Sequence, residues 1–152
     1  MFMAAEIILL RRDKATIDTS AYISYFYHGH HDEEMTNLLK TSVPWLHSTV
    51  FEELLAGARS GREFRDLYRY KEPFVRSERL ITPTDNDWTE TGHIINQLIK
   101  KIGGPSAKSV SLTHDVLLAV SARRLGIRVI TENKKDFEKI RFLKDFKLTV
   151  WS

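Results

Sequence analysis

The chain has 152 residues, enough for one domain with a full core, and its 42% apolar and 28% charged content describes a globular protein rather than a disordered one. It has no cysteine, which excludes disulfides and thiolate metal sites and makes a reducing cytosol the expected compartment. The net charge is only +3, and the longest apolar runs, Ile7 to Leu10 and Val116 to Val120, fall far short of the roughly 20 residues a membrane span requires.

Residues 1–14 read as an extension, an added strand ending at an Arg11-Arg12-Asp13-Lys14 turn, with no signal-peptide layout: Glu6 comes early, and Arg11-Arg12 follow the apolar run. The main domain is expected over 15–152. Ala15 to Asp18 reads as a short buried strand feeding a helix over Ser20 to Tyr27, which Gly29 breaks. Glu33 to Lys40 is a second helix, and Val43 to His47 a strand that Pro44 places at an edge or a start. A helix over Thr49 to Arg59 ends near Gly61. Another runs from Arg62 to Tyr70 and is expected to stop before Pro73. Leu80 to Thr82 is a short strand. Asp85 to Ile102 is a long helix stopped by Gly103-Gly104-Pro105. Ser111 to Leu125 is helical, Ile127 to Thr131 a β-branched strand, Asn133 to Arg141 a helix, and Leu148 to Trp151 a closing strand. Strands alternating with helices predict a parallel sheet covered on both faces, with ligands beyond the carboxyl ends of its strands.

Several acids stand where folding alone would prefer another residue. Val50, Glu53, Leu54 and Gly57 share one helix face, and so do Leu112, Asp115, Val116 and Ala119. A carboxylate beside a buried stripe loses hydration and needs a compensating cation or donor. Thr49 and Glu52 have the spacing of a capping box, which accounts for Glu52 but not for Glu53. Asp18 follows a buried strand, where it suits both an N-cap and a ligand. Asp136 stands three residues after Asn133, again a capping arrangement, and Glu132 competes for the same role. Several acids at element boundaries point to one acidic pocket, a divalent cation and a phosphate substrate. The histidines at 28, 30 and 31 read as an exposed polar loop. The tryptophans at 45, 88 and 151 read as core or interface anchors.

Positive charge is concentrated. Arg59, Arg62, Arg65, Arg69, Lys71, Arg76 and Arg79 outnumber Glu63, Asp66, Glu72 and Glu78, so this segment carries the whole excess. Arginine forks suit phosphates, and the interleaved Tyr68, Tyr70 and Phe74 suit bases. The competing reading is a solvated helix face with local pairs such as Arg62/Asp66.

Taken together, Ile17-Asp18-Thr19-Ser20, Glu53-Leu54-Leu55-Ala56-Gly57, Asp115-Val116-Leu117-Leu118-Ala119, and Gly126 to Asn133 running into Asp136-Phe137 resemble the PIN-domain ribonucleases, and among them the VapC-like toxins of toxin–antitoxin pairs. The resemblance implies a three-layer α/β/α fold with a mostly parallel central sheet. It also implies a metal-dependent endoribonuclease in which Asp18, Glu53, Asp115 and Asp136 hold Mg²⁺ or Mn²⁺, supported by Ser20, Thr131 and Asn133. A cytoplasmic location, an RNA substrate, a cognate antitoxin and a homodimer follow from the same likeness, with RNA expected along Arg62, Arg65 and Arg69. Phosphatases of the haloacid dehalogenase type need a second Asp where Ser20 stands. The alternative from another class is a non-catalytic PIN-fold module that binds RNA or a partner.

Overall fold

A computed structural model describes residues 12–102 and 110–152. The Gly103-Gly104-Pro105 stop lies outside the described residues, as does most of the 1–14 extension. Asp13 and Lys14 belong to the first strand.

In chain order the described elements are β1 (Asp13–Ile17), α1 (Thr19–His28), α2 (Asp32–Thr41), β2 (Ser42–His47), α3 (Ser48–Ala56), α4 (Gly61–Arg76), β3 (Leu80–Ile81), α5 (Asp85–Ile102), α6 (Val110–Arg124), β4 (Arg128–Thr131), α7 (Lys134–Leu143) and β5 (Leu148–Val150). The strands form one sheet in the order β3-β2-β1-β4-β5, and every pairing is parallel. Helices flank this sheet, giving the three-layer α/β/α architecture. Its interior is apolar on both sides of the strands: Ala15, Ile17, Leu46, Val129 and Ile130 are buried, and Tyr22, Leu117, Phe137 and Ile140 cover them from the helices. Burial of that kind favours folding by about 25 cal/mol per Å² of apolar surface.

Chain order fixes where a site can form. From β1 the chain works outward to β2 and β3, then returns to the other side of β1 with β4. The β1/β4 boundary is therefore where the sheet reverses direction of growth, the usual position of a ligand crevice in open parallel sheets. Asp18 N donates to Ile130 O at 2.8 Å, so the first residue past β1 is pinned beside the end of β4.

Three local expectations change. The N-cap of α3 is His47, whose Nδ1 accepts from Thr49 N at 3.2 Å, so the helix starts one residue before the predicted Thr49 cap. Helix α4 runs through Pro73 to Arg76 because Pro73 lies in the last turn, where its missing N–H removes only one bond, and Ser77 closes the end on Pro73 O with both its N–H and its hydroxyl. The histidine loop is divided. His28 and His30 are exposed, but the His31 side chain is only 6% exposed, against Glu34, Glu132 and the Trp151 ring. Its backbone is left-handed at φ 65°, an uncommon conformation for a residue with a Cβ.

Among the aromatics, Tyr22 is core and its hydroxyl meets Tyr70 at 2.9 Å, whereas Phe26, Tyr27, Phe64 and Tyr68 are exposed. Trp151 is buried, Trp45 packs partly against the core and Trp88 is half exposed. No described helix is long and apolar enough to cross a membrane.

Candidate metal centre at the carboxyl ends of the sheet

Asp18 caps α1 and is 4% exposed. Its carboxylate accepts from the Ser20 backbone N–H, from Ser20 Oγ at 3.1 Å, and from Thr131 Oγ1 on the neighbouring strand. Burial pushes its pKa up, the Thr131 and Ser20 donors oppose that, and Glu53 adds to it. Charge-assisted bonds of this sort are the strong ones.

Glu53 comes from α3, where Val50 and Leu54 are buried on the same face. One of its oxygens accepts from Thr19 Oγ1, and the other lies 2.9 Å from His114 Nδ1. Asp115 comes from the first turns of α6, whose Val116 and Ala119 are buried. Its pKa is pushed up to about 8, first by burial and then by the charges of Asp18, Glu53 and Asp136. That ordering identifies the surroundings of Asp115: a partly desolvated spot ringed by three other carboxylates from three other elements. Asp136, on α7, receives Asn133 Nδ2 at 3.0 Å and Lys139 Nζ at 3.3 Å. Asn133 caps α7, as the spacing predicted, and its own N–H donates to Thr131 Oγ1 at 2.8 Å.

The polar residues expected beside the acids are thus joined in one chain of hydrogen bonds running Ser20, Asp18, Thr131, Asn133, Asp136. Glu132 is drawn away from this set. Its carboxylate is held by Ser24 Oγ at 2.7 Å and by His31 Nε2. Burial would raise its pKa, but His31 and Ser24 lower it on balance, while the Glu132 bond raises that of His31. Arg62, Arg65 and Arg69 are exposed on α4, and Arg62 and Arg69 both reach Asp66, at 3.8 and 3.5 Å.

Two participants escaped the sequence reading. Thr19 and His114 both hold Glu53, and each sits next to a singled-out acid; adjacency to Asp18 and Asp115 was the only signal available. A third buried group, His47, lies at the end of β2 with Nε2 lacking a hydrogen-bond partner, and burial lowers its pKa to about 4.

The donor set is all oxygen, which suits Mg²⁺ or Mn²⁺ rather than a soft ion. Like charge accumulated around Asp115 is what a cation relieves. Among the described residues no three His, Asp or Glu side chains already close on a common ion position. The carboxylates are instead turned toward Thr19, His114, Thr131 and Ser20.

A family model for the PIN domain matches residues 15–143, and the chain belongs to that family. No curated protein matches it. Among solved structures, it is similar to a chain of DNA-bound VapBC from Salmonella typhimurium, at 21% identity and TM-score 0.64 over 92% of this chain and 99% of that one. It is also similar to VapBC-1 from nontypeable Haemophilus influenzae, at 19% identity and TM-score 0.66 over 90% and 97%. VapBC2 from Rickettsia felis, bound to a promoter DNA fragment, gives 18% identity and TM-score 0.63 over 91% and 98%.

Proposed function

From a PIN-domain chain whose Asp115 carboxyl feels the charges of Asp18, Glu53 and Asp136, we propose a metal-dependent endoribonuclease that acts in the cytoplasm. The observation that carries this reading is the Asp115 carboxyl at about pKa 8, ringed by Asp18, Glu53 and Asp136. Strongly perturbed acids in a cleft mark functional sites. Asp18, Glu53, Asp115 and Asp136 would hold Mg²⁺ or Mn²⁺, which supplies charge neutralisation at phosphate and a more acidic water. The protein's own part is positional. Thr131 and Ser20 oppose the upward push of burial on Asp18, Asn133 orients Asp136, and Thr19 fixes Glu53. Arg62, Arg65 and Arg69 form an exposed row suited to an RNA backbone.

A partner protein and a homodimer belong to the same proposal. The motif likeness to VapC-like toxins supports a cognate antitoxin, and the acids offer a bidentate seat for an arginine fork. Exposed Phe26 and Tyr27, beside a cavity of about 260 Å³ that Tyr70 and Leu67 also line, supply apolar contact area.

Cleavage of a labelled single-stranded RNA tests the reading. The expected result is Mn²⁺-dependent cutting, blocked by EDTA and nearly abolished in Asp18→Asn and Asp115→Asn, with circular dichroism unchanged. RNA cut equally well in EDTA, or by Asp115→Asn, overturns it. RNA bound but never cut, with any ion, favours the non-catalytic module instead.

A further inference from the structure

A cavity of about 660 Å³ lies between the end of α5 and the length of α7. Its walls carry Lys101, Lys134, Lys135 and Lys139 against one acid, Glu138. Its apolar wall includes Phe142, which is 81% exposed, with the Lys101 ammonium 4.6 Å from the centre of its ring. Neither the charge segment at Arg59 to Arg79 nor the acidic motifs drew attention to this face. It connects directly to the candidate centre, because Lys139 Nζ lies 3.3 Å from Asp136 Oδ1.

We propose that this lysine groove is the track along which single-stranded RNA leaves the acidic centre, with Phe142 as a base-stacking platform. The choice of polymer rests on the nuclease reading above. Charge complementarity selects it. Phosphates repelled by the four carboxylates meet lysines within one helix length, and the exposed Phe142 ring in the groove offers a face for any base. The groove and the arginine row belong to different parts of the fold: α4 packs on β2, whereas α7 packs on α6. Asp136 shares α7 with Lys134, Lys135 and Lys139, and Glu53 lies on α3, which packs on the arginine-bearing α4.

The test is fluorescence anisotropy of a labelled single-stranded RNA in EDTA, where binding is read without cutting. Lys101→Ala/Lys134→Ala/Lys135→Ala, which leaves Lys139 in place, is expected to weaken binding at least about tenfold. It should also flatten the dependence of log affinity on log salt by about 2, at roughly 0.7 per lost phosphate contact. Phe142→Ala weakens binding about fivefold, the loss of one stacked base, and Phe142→Trp restores it. An unchanged salt slope in a folded triple variant overturns the groove while leaving the nuclease reading intact. Wild-type protein that neither binds nor cuts RNA overturns both. If Phe142→Ala changes the mass seen by light scattering but not RNA affinity, the face is a self-association surface and the groove is again overturned.

Discussion

Thr131 Oγ1 donates to Asp18 Oδ2 across the junction of β4 and β1, so two residues at the ends of adjacent strands share a single proton-donating contact. Both are buried, and the hydroxyl is the largest influence opposing the rise that burial imposes on the Asp18 pKa. Thr131→Val keeps the shape and removes the donor. It is expected to cost about 1–3 kcal/mol in urea unfolding at neutral pH, while Thr131→Ser costs much less.

The Asp115 carboxyl gives a pH signature in metal-free protein. Its folded pKa of about 8 stands above the ordinary 3.8, so the fold retains a proton that the unfolded chain releases between those values. Its stabilising contribution is complete below about pH 4 and is lost progressively as pH rises toward 8. Asp115→Asn removes that loss. In EDTA at pH 8 it is expected to melt at least about 4 °C higher than wild type, at roughly 2–4 °C per kcal/mol for a chain of this size. Equal melting temperatures refute the strained pocket.

His47 acts in the opposite sense. Burial lowers its pKa to about 4 from 6.5, so the unfolded chain binds the extra proton and stability falls as pH drops from 6.5 toward 4. One such proton steepens the fall by about 1.4 kcal/mol per pH unit. His47→Asn retains an acceptor for the Thr49 N–H and cannot titrate. Its stability profile over that window should be flatter by that amount, measured by urea midpoints at successive pH values.

An ion pair between a buried acid and a more exposed arginine is expected to matter more than any pair exposed on both sides. Asp87, 2% exposed, takes Arg124 Nε at 2.9 Å and Nη2 at 2.8 Å, and it also accepts from Thr84 N at 2.9 Å. Burial would raise its pKa, and Arg124 with Thr84 brings it below the usual value instead. Arg124→Ala leaves the carboxylate without its cation and should cost about 3 kcal/mol in denaturant unfolding. Arg124→Lys, lacking the fork, should recover only part. By contrast, Arg62→Ala should change stability by less than about 0.5 kcal/mol, since both it and Asp66 are largely exposed.

The alternation of strands and helices was legible because runs such as Ile127 to Thr131 are short and β-branched, and helices such as that over Arg62 to Tyr70 are amphipathic. Glu53 and Asp115 stood out for the same reason, as charges on faces that packing reserves for apolar groups. What escaped were contacts between residues remote in sequence. Nothing near His31 announces Glu132 and Trp151 as its neighbours, so a side chain in a polar run looked exposed. The Thr49 and Glu52 pattern concealed His47, because an imidazole nitrogen can accept the same N–H that a hydroxyl would. Pro73 misled because a proline's cost depends on how many turns follow it, and here almost none do. The lysines of the groove were invisible as a group until α5 and α7 were brought side by side.

Thr131 lies 113 residues after Asp18, with Glu53 and Asp115 contributed in between. The pocket is thus distributed over nearly the whole chain, and no amino-terminal piece that stops short of β4 can contain it. On a ribosome the acids come together only after β4 has emerged and inserted beside β1, the longest-range strand pairing in the sheet and an intrinsically slow event. Order of synthesis therefore acts as a timing device: the centre cannot be assembled while the chain is still short.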